Sequence, residues 1–392
     1  MNKKITLGIA LSLVAIACAV TFILTSFFTL QSFNKKIVDV NEKSKKYNAL
    51  NDLEIQVRDN YYGSIDQEGA DKGILKGYIA GIGDPYSKYL TADEYAAQLD
   101  LEKGEQIGLG LTLANDASGY IKIADILPDS PAENEGLAPG DVIVAIDNKD
   151  VLTIGFDESV ASMEGTEGSS LKLTIRRDGV DTDYTFIRRS IEIQSVTGEM
   201  LNGFVGYIQI KGFRKNTPDQ FLDVLGRLNA NGAKAFVFDL RDNSDGLMDA
   251  LEECLDPLLP EGVIATASYK DGHTDTLVYS DENMIDTPMV VLVNKQTSCA
   301  AELFAASLRD FRSAKIIGVK TAGKGVIQDT IRFDDGGALI ITVAECSTTQ
   351  SVTFNETGIV PDTIIENNES DPLAGDSQYL AAVEAARLAI AQ

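Results

Sequence analysis

The sequence predicts an α/β protein that carries a small β-rich insert, a helical region before it and an apolar segment at its front. Three observations carry this prediction. Beyond Ile191, short β-branched runs alternate with amphipathic helical patterns, as in a mostly parallel sheet covered by helices. From Gly104 the chain becomes short strands punctuated by Gly, Pro and Asp. Ile5 to Leu30 is 26 residues without a charge, enough to cross a bilayer with some tilt. The resulting boundaries are 1–33 for an anchor, 34–103 for the helical region, 104–182 for the β-rich domain and 183–392 for the α/β core.

Bulk composition narrows the function classes. A chain of 392 residues is too long for one typical domain. With 44% hydrophobic and 24% charged residues it is globular. Its net charge of -25 argues against a nucleic-acid partner, which needs a basic footprint. There is one histidine, His273, in a hairpin-like Asp271-Gly-His-Thr. A multi-histidine metal site is thereby excluded, and any Ser-His or Cys-His mechanism would have to run through a turn residue. No metal, nucleotide or organic cofactor is expected.

The front of the chain reads as a single-pass anchor. No small-x-small cleavage site closes the apolar run, and Cys18 falls within it. Lys3 and Lys4 precede the span, while Lys35, Lys36, Lys43, Lys45 and Lys46 lie beyond it. That asymmetry alone favours a cytoplasmic C-terminal side. An N-terminal anchor usually exports the chain on its C-terminal side, so the expectation is a cell-membrane protein with its bulk outside the cytoplasm. After it, Ile37, Val40, Tyr47, Leu50 and Val57 give an amphipathic helix suited to a neighbour or a second copy. Ile74, Tyr78, Ile79 and Ile82 form another helical stripe, and Thr91-Ala-Asp-Glu94 is a capping box.

The β-rich region contains Gly108-Leu-Gly110-Leu111, Ile121 to Ile126, Asp129-Ser-Pro-Ala132 and Gly136-Leu-Ala-Pro-Gly140 running into Asp141 to Asp147. In that order the set resembles a PDZ domain. The resemblance implies a loop whose backbone N–H groups receive a peptide's terminal carboxylate while the peptide adds as a strand. The matching positions are Leu109, Gly110 and Leu111.

In the core, Phe204 to Ile210 and Ala235 to Leu240 read as strands. Pro218 to Asn229 reads as a helix with Phe221, Leu222, Leu225 and Leu228 inward. Val290-Val-Leu-Val-Asn294 is a buried strand, and Ala300, Phe304, Leu308 and Phe311 lie on one helical face behind it. Cys299 therefore falls where a strand hands over to a helix N-terminus, whose partial positive charge favours a thiolate and can hold an oxyanion. Further on comes Thr321-Ala-Gly-Lys324-Gly-Val-Ile-Gln328. Gly318 to Gly325 nearly matches a P-loop, yet Gly325 stands where a hydroxyl must reach magnesium, and the next residues alternate like a strand. Nucleotide binding is rejected. What remains is a nucleophile and a lysine without histidine. Gln328, four residues on, is expected to share a face with Lys324 and orient its amine.

Together with Asp84-Pro-Tyr-Ser87, Arg241-Asp-Asn243 and Gly358-Ile-Val-Pro-Asp362, these segments resemble the carboxyl-terminal processing peptidases, or tail-specific proteases. The resemblance implies an α/β peptidase core with an inserted PDZ domain, an N-terminal helical region and a Ser-Lys-Gln site. By the family's spacing that site is Cys299, Lys324 and Gln328, with Gly246 and the Ala300 N–H as oxyanion donors. It also implies apolar C-terminal tails of exported proteins as substrates, and self-association through the N-terminal helices. Two departures stand out: cysteine replaces serine, and Asn243-Ser-Asp245-Gly246 puts a carboxylate into the usual glycine-rich turn. Three readings stay open. Cys299 attacks as a thiolate beside a Lys324 ammonium; Ser298, turned by about 100° along the helix start, takes over; or the chain is an inactive scaffold that binds C-termini.

Overall fold

The computed structural model describes residues 20–22, 24–26, 28, 45, 47–244, 246–366 and 375–391. Cys18, Asp245 and most of the expected span Ile5–Leu30 lie outside them. Among the described residues, no helix is long and apolar enough to cross a membrane. The chain forms two compact units, Met1–Ile74 and Leu75–Gln392.

In the first unit, residues 47–60 are helical. Leu50, Leu53, Val57, Ile65 and Ile74 line an apolar groove of about 190 Å³. The helix Gln67–Ala80 begins in this unit and buries none of its residues; Ile74 and Tyr78 of the expected stripe are exposed.

The second unit starts with the tail of that helix and the helix Ala92–Lys103. The latter opens with the predicted capping box: Thr91 Oγ1 accepts the Glu94 N–H, and the Glu94 carboxylate accepts the Thr91 N–H at 2.9 Å. A two-stranded ribbon, Glu105–Gly108 with Arg189–Glu192, leads into and out of the β-rich domain. There Leu111–Asn115, Ile121–Ile126, Val142–Ile146, Ser170–Arg177 and Val180–Ile187 form one antiparallel sheet in that order. Ile121, Ile123, Ile143, Ile146, Leu171, Leu173, Ile175 and Phe186 fill its core. Leu111–Asn115 is the edge strand. The helix Phe156–Met163 packs partly buried Phe156, Val160 and Met163 on the same core as Leu111 and Leu113.

The α/β core is a six-stranded sheet in the order Val196–Leu201, Val205–Ile210, Ala235–Asp239, Met289–Val293, Lys315–Gly318, Thr363–Ile364. It is parallel except for its first pair. The period of two explains how both faces are covered. Phe236, Phe238, Val291 and Val293 pack against the helices Thr217–Ala230, Met248–Leu255 and Ala300–Arg312. Ala235, Val237, Val290 and Leu292 pack against Ala382 and Ala386 of the helix Ser377–Ile390. Leu222, expected inward on Thr217–Ala230, is exposed; the other three apolar residues of that stripe are buried. A second sheet joins Lys88–Leu90, Ala338–Thr348, Gly262–Tyr269 and Thr274–Ser280, with Val326–Arg332 paired on Ala338–Thr348. This sheet holds the lysine segment against the core.

Candidate active site

The strand Met289–Val293 is buried along its whole length, and the chain turns at Asn294. The Asn294 side chain accepts the N–H groups of Gln296, Thr297 and Asp242, and Thr297 Oγ1 donates to the Leu240 carbonyl at 2.9 Å. The turn is thus fastened to the end of the neighbouring strand. It delivers Cys299 to the N-cap of Ala300–Arg312 at φ 56° and ψ -120°. A positive φ at a residue with a Cβ is strained, and such strain concentrates where a side chain must be presented. Cys299 is half-buried, whereas Cys254 and Cys346 are buried and burial pushes both thiols well up from their ordinary range.

Glu302, one turn into the helix and fully buried, draws the site together. Its carboxylate accepts the Cys299 N–H at 3.1 Å, the Gly323 N–H at 2.8 Å and the Lys324 N–H at 2.8 Å. The Thr321 hydroxyl donates to it as well. Burial pushes Glu302 above the usual carboxylate range, and the four donors pull the other way. A further backbone bond, Ala322 N–H to the Thr297 carbonyl at 3.0 Å, ties the Lys324 segment to the turn before Cys299. Gly325 is required by close approach: a Cβ there would sit 2.6 Å from the Asn355 nitrogen.

Cys299, Lys324 and Gln328 line one cleft of about 430 Å³, together with Gly246, Phe213, Leu247, Met248 and Leu277. The structure therefore brings together the three residues singled out by spacing. Lys324 precedes the strand Val326–Arg332, and the register shift opposite Ile327 and Gln328 falls at Val343 of the partner strand, so the run from Lys324 to Gln328 gains no extra residue. The Gln328 amide donates to the Tyr86 carbonyl at 2.8 Å, and the Lys324 ammonium lies 5.4 Å from the centre of the Tyr86 ring.

The remaining predicted positions are also located. Gly246 forms an isolated bridge with Phe213, and a Cβ would fall 2.5 Å from the Phe213 Cβ. Ala300 is the first residue of the helix, where N–H groups lack intrahelical acceptors. Ser298 is buried, and its hydroxyl donates to the Ser244 carbonyl, so it is held away from the cleft that Cys299 lines. His273 stacks on Tyr269 at a hairpin tip and pairs with Asp271. In the β-rich domain the Leu109 side chain belongs to the core. The Leu109 and Gly110 carbonyls accept the Ala132 and Leu127 N–H groups.

Residues 204–365 match peptidase family S41, and residues 98–176 match the PDZ domain. The carboxy-terminal processing protease CtpA of Bacillus subtilis is 31% identical over 351 residues, covering 89% of this chain and 75% of that protein. The chain belongs to the carboxyl-terminal processing peptidases of family S41. A carboxyl-terminal-processing protease of Synechocystis is 32% identical over 295 residues, covering 74% of this chain and 69% of that one. A solved Bacteroides fragilis structure described as an S41 protease aligns with a TM-score of 0.54 at 21% identity, over 84% of this chain and 90% of that one; it speaks to the fold alone. The S41 match contains Cys299, Lys324 and Gln328, and the PDZ match contains Leu109, Gly110 and Leu111.

Sequence reasoning missed two residues that brace this candidate site. Glu302 had a signal: Cys299-x-x-Glu302 has the spacing of a capping box with a thiol in place of the hydroxyl. Tyr86 stands in a segment already used for family resemblance, but no local pattern shows that a residue about 240 positions upstream meets Lys324 and Gln328.

Proposed function

We propose that this S41 peptidase is a membrane-anchored, exported endopeptidase that binds apolar C-terminal tails through its PDZ domain and cleaves near them. The observation that carries the reading is the shared cleft: a strained, helix-capping Cys299 opens into the same space as Lys324 and Gln328. The Cys299 thiolate attacks the scissile carbonyl carbon, forming a C–S bond while the carbonyl π electrons move to oxygen. The Ala300 N–H and Gly246 are assigned to that oxyanion. As it collapses, the C–N bond breaks and the Lys324 ammonium gives its proton to the departing amine. Water then attacks the thioester, the neutral lysine takes its proton, and the thiolate leaves. Gln328 supports the lysine.

Tail binding rests on the edge strand Leu111–Asn115 and the helix Phe156–Met163, between which a peptide can add as a strand. Leu109, Gly110 and Leu111 would act there through backbone groups, since the Leu109 side chain is committed to the core. The anchor is assigned to Ile5–Leu30 on its length and lack of charge, with the peptidase extracytoplasmic. Self-association is assigned to the apolar groove of the first unit.

The deciding experiment presents peptides with free C-termini to the chain and to its Cys299→Ala, Cys299→Ser and Lys324→Ala forms. Cleavage by the unaltered chain, abolished in Cys299→Ala and Lys324→Ala, is expected. If all four forms are equally inert while tails still bind, the chain is a binding scaffold and the enzymatic reading is wrong.

A further inference from the structure

Tyr86 comes from outside the segment that carries the nucleophile and the lysine, yet it touches both members of the lysine–glutamine pair. Its backbone is fixed in place. Asp84 accepts the Tyr86 N–H at 3.0 Å and the Ser87 hydroxyl. Ser87, buried, in turn accepts the Thr342 N–H at 3.1 Å. The next residues, Lys88–Leu90, pair with Ala338–Ile340 of the same strand on which Val326–Arg332 lies. From this mount the Tyr86 carbonyl takes the Gln328 amide at 2.8 Å, and the Tyr86 ring faces the Lys324 ammonium at 5.4 Å. Among the described residues, no hydrogen bond joins Gln328 to Lys324.

We propose that Tyr86 is a positioning residue of this site: its ring holds the Lys324 ammonium at the cleft and its carbonyl holds Gln328, so the lysine and the glutamine are coupled through it. The inference rests on Lys324 being the partner of Cys299, and it deepens that reading by naming what places the lysine. An aromatic face attracts a cation through its quadrupole, and the attraction grows when water is excluded. The arrangement suits a thiol nucleophile, whose thiolate needs a charged neighbour, better than it suits a neutral lysine drawing a proton from serine. The charged and titratable groups around Tyr86 are Glu302 and Cys299 from the helix Ala300–Arg312 and its cap, Asp84 from its own turn, Glu356 from the facing loop, and Tyr269, Lys270 and Glu345 across the adjoining pocket, besides Lys324. Among these, Lys324 is the cation over the ring, so removing the ring loosens that positive charge.

The test uses the full chain and its Tyr86→Phe, Tyr86→Leu and Tyr86→Met forms. It reads kcat and KM on a cleaved tail peptide, and separately the pH profile of Cys299 alkylation by iodoacetamide, located by peptide mapping. Tyr86→Phe keeps the ring and the carbonyl, and should retain kcat and the alkylation midpoint. Tyr86→Leu and Tyr86→Met keep only the carbonyl. They should lose about two- to thirtyfold in kcat with KM little changed, the range expected for one cation–π contact, and move the alkylation midpoint to higher pH. Two ringless forms guard against one that fails to fold, as checked by thermal unfolding. The proposal is overturned if the ringless forms keep both kcat and midpoint, or if Tyr86→Phe loses as much as they do. A wild-type chain that cleaves nothing and leaves Cys299 unalkylated overturns the underlying assignment of the site, and this proposal with it.

Discussion

Two buried carboxylates anchor the two halves of the second unit, and they are satisfied in opposite ways. Asp141 in the PDZ domain meets a guanidinium: Arg177 donates two bonds of 2.6 Å to it, and the Ala138 N–H adds a third at 2.9 Å. The Arg177 guanidinium holds the Asp141 carboxyl below its ordinary range. Glu302 in the peptidase core meets three backbone N–H groups and a hydroxyl, all neutral, and burial holds it above its ordinary range. A carboxylate whose charge is balanced where it stands is a structural tie. One left without a counter-charge among its direct partners biases its surroundings toward cations, and the residue whose backbone N–H it accepts at the cleft is Lys324. The contrast separates a charge-balanced tie in the PDZ domain from an unbalanced one beside the candidate site.

The harshest way to break the comparison is Glu302→Ala. It strands four donors in a dry interior, where each unmet group costs on the order of 1–3 kcal/mol before relaxation. We expect a loss of about 3–5 kcal/mol, read as a lower urea midpoint, together with loss of cleavage. Glu302→Gln should cost less, about 1–3 kcal/mol, because its amide nitrogen faces two donors while its oxygen still serves the other pair. If Glu302→Ala unfolds at the same urea concentration as the unaltered chain, the carboxylate does not tie the Cys299 turn to the Lys324 segment.

Asp141→Asn sharpens the contrast through pH. Asp141 has a depressed folded value, so its stabilisation is complete above about pH 4, the unfolded value, and fades as pH falls through the folded one. Replacing it should cost about 1–3 kcal/mol at neutral pH, and the gap from the unaltered chain should narrow on acidification. Glu302 has a raised folded value, so its burial penalty is fully present above that value and disappears as pH falls to about 4.3, the unfolded value. Against Glu302→Gln the gap should therefore widen on acidification. Urea titrations at a series of pH values would decide it, and two slopes of the same sign would show that the carboxylates do not differ in this way.

The sequence revealed this architecture unevenly, for physical reasons. Periodicity made the core strands legible because both faces of Ala235–Asp239 and Met289–Val293 are covered, which demands unbroken apolar runs. Cys299, Lys324 and Gln328 were legible as a group because the family resemblance rests on their spacing, and they line one cleft. Spacing put Gln328 on the cleft with Lys324 but did not reveal that its amide is donated to the Tyr86 carbonyl. Tyr86 stayed hidden because the sheet that brings Lys88–Leu90 beside Ala338–Thr348 spans some 250 positions of sequence. Leu222 shows the smaller error: an apolar residue on a helix is not obliged to be inside.

The mildest perturbation is Thr321→Val, and it tests whether Glu302 responds to its donors one at a time. The Thr321 hydroxyl donates to Glu302 and accepts the Ile359 N–H at 2.7 Å. Valine preserves the shape but supplies neither bond, so roughly 1–2 kcal/mol should be lost; Thr321→Ser, which restores the hydroxyl, should recover most of it. The effect on charge is the more telling part. Removing one of four donors that favour the ionised form should raise the Glu302 value further, and the acid-side gain in stability should then begin at a higher pH than in the unaltered chain. Asp141 gives the control, since its slope should not move: its partners are Arg177 and Ala138, in the other domain. If Thr321→Val shifts both slopes, or neither, the two carboxylates are not independent electrostatic ties, and the distinction between a balanced strut and a charged site loses its basis.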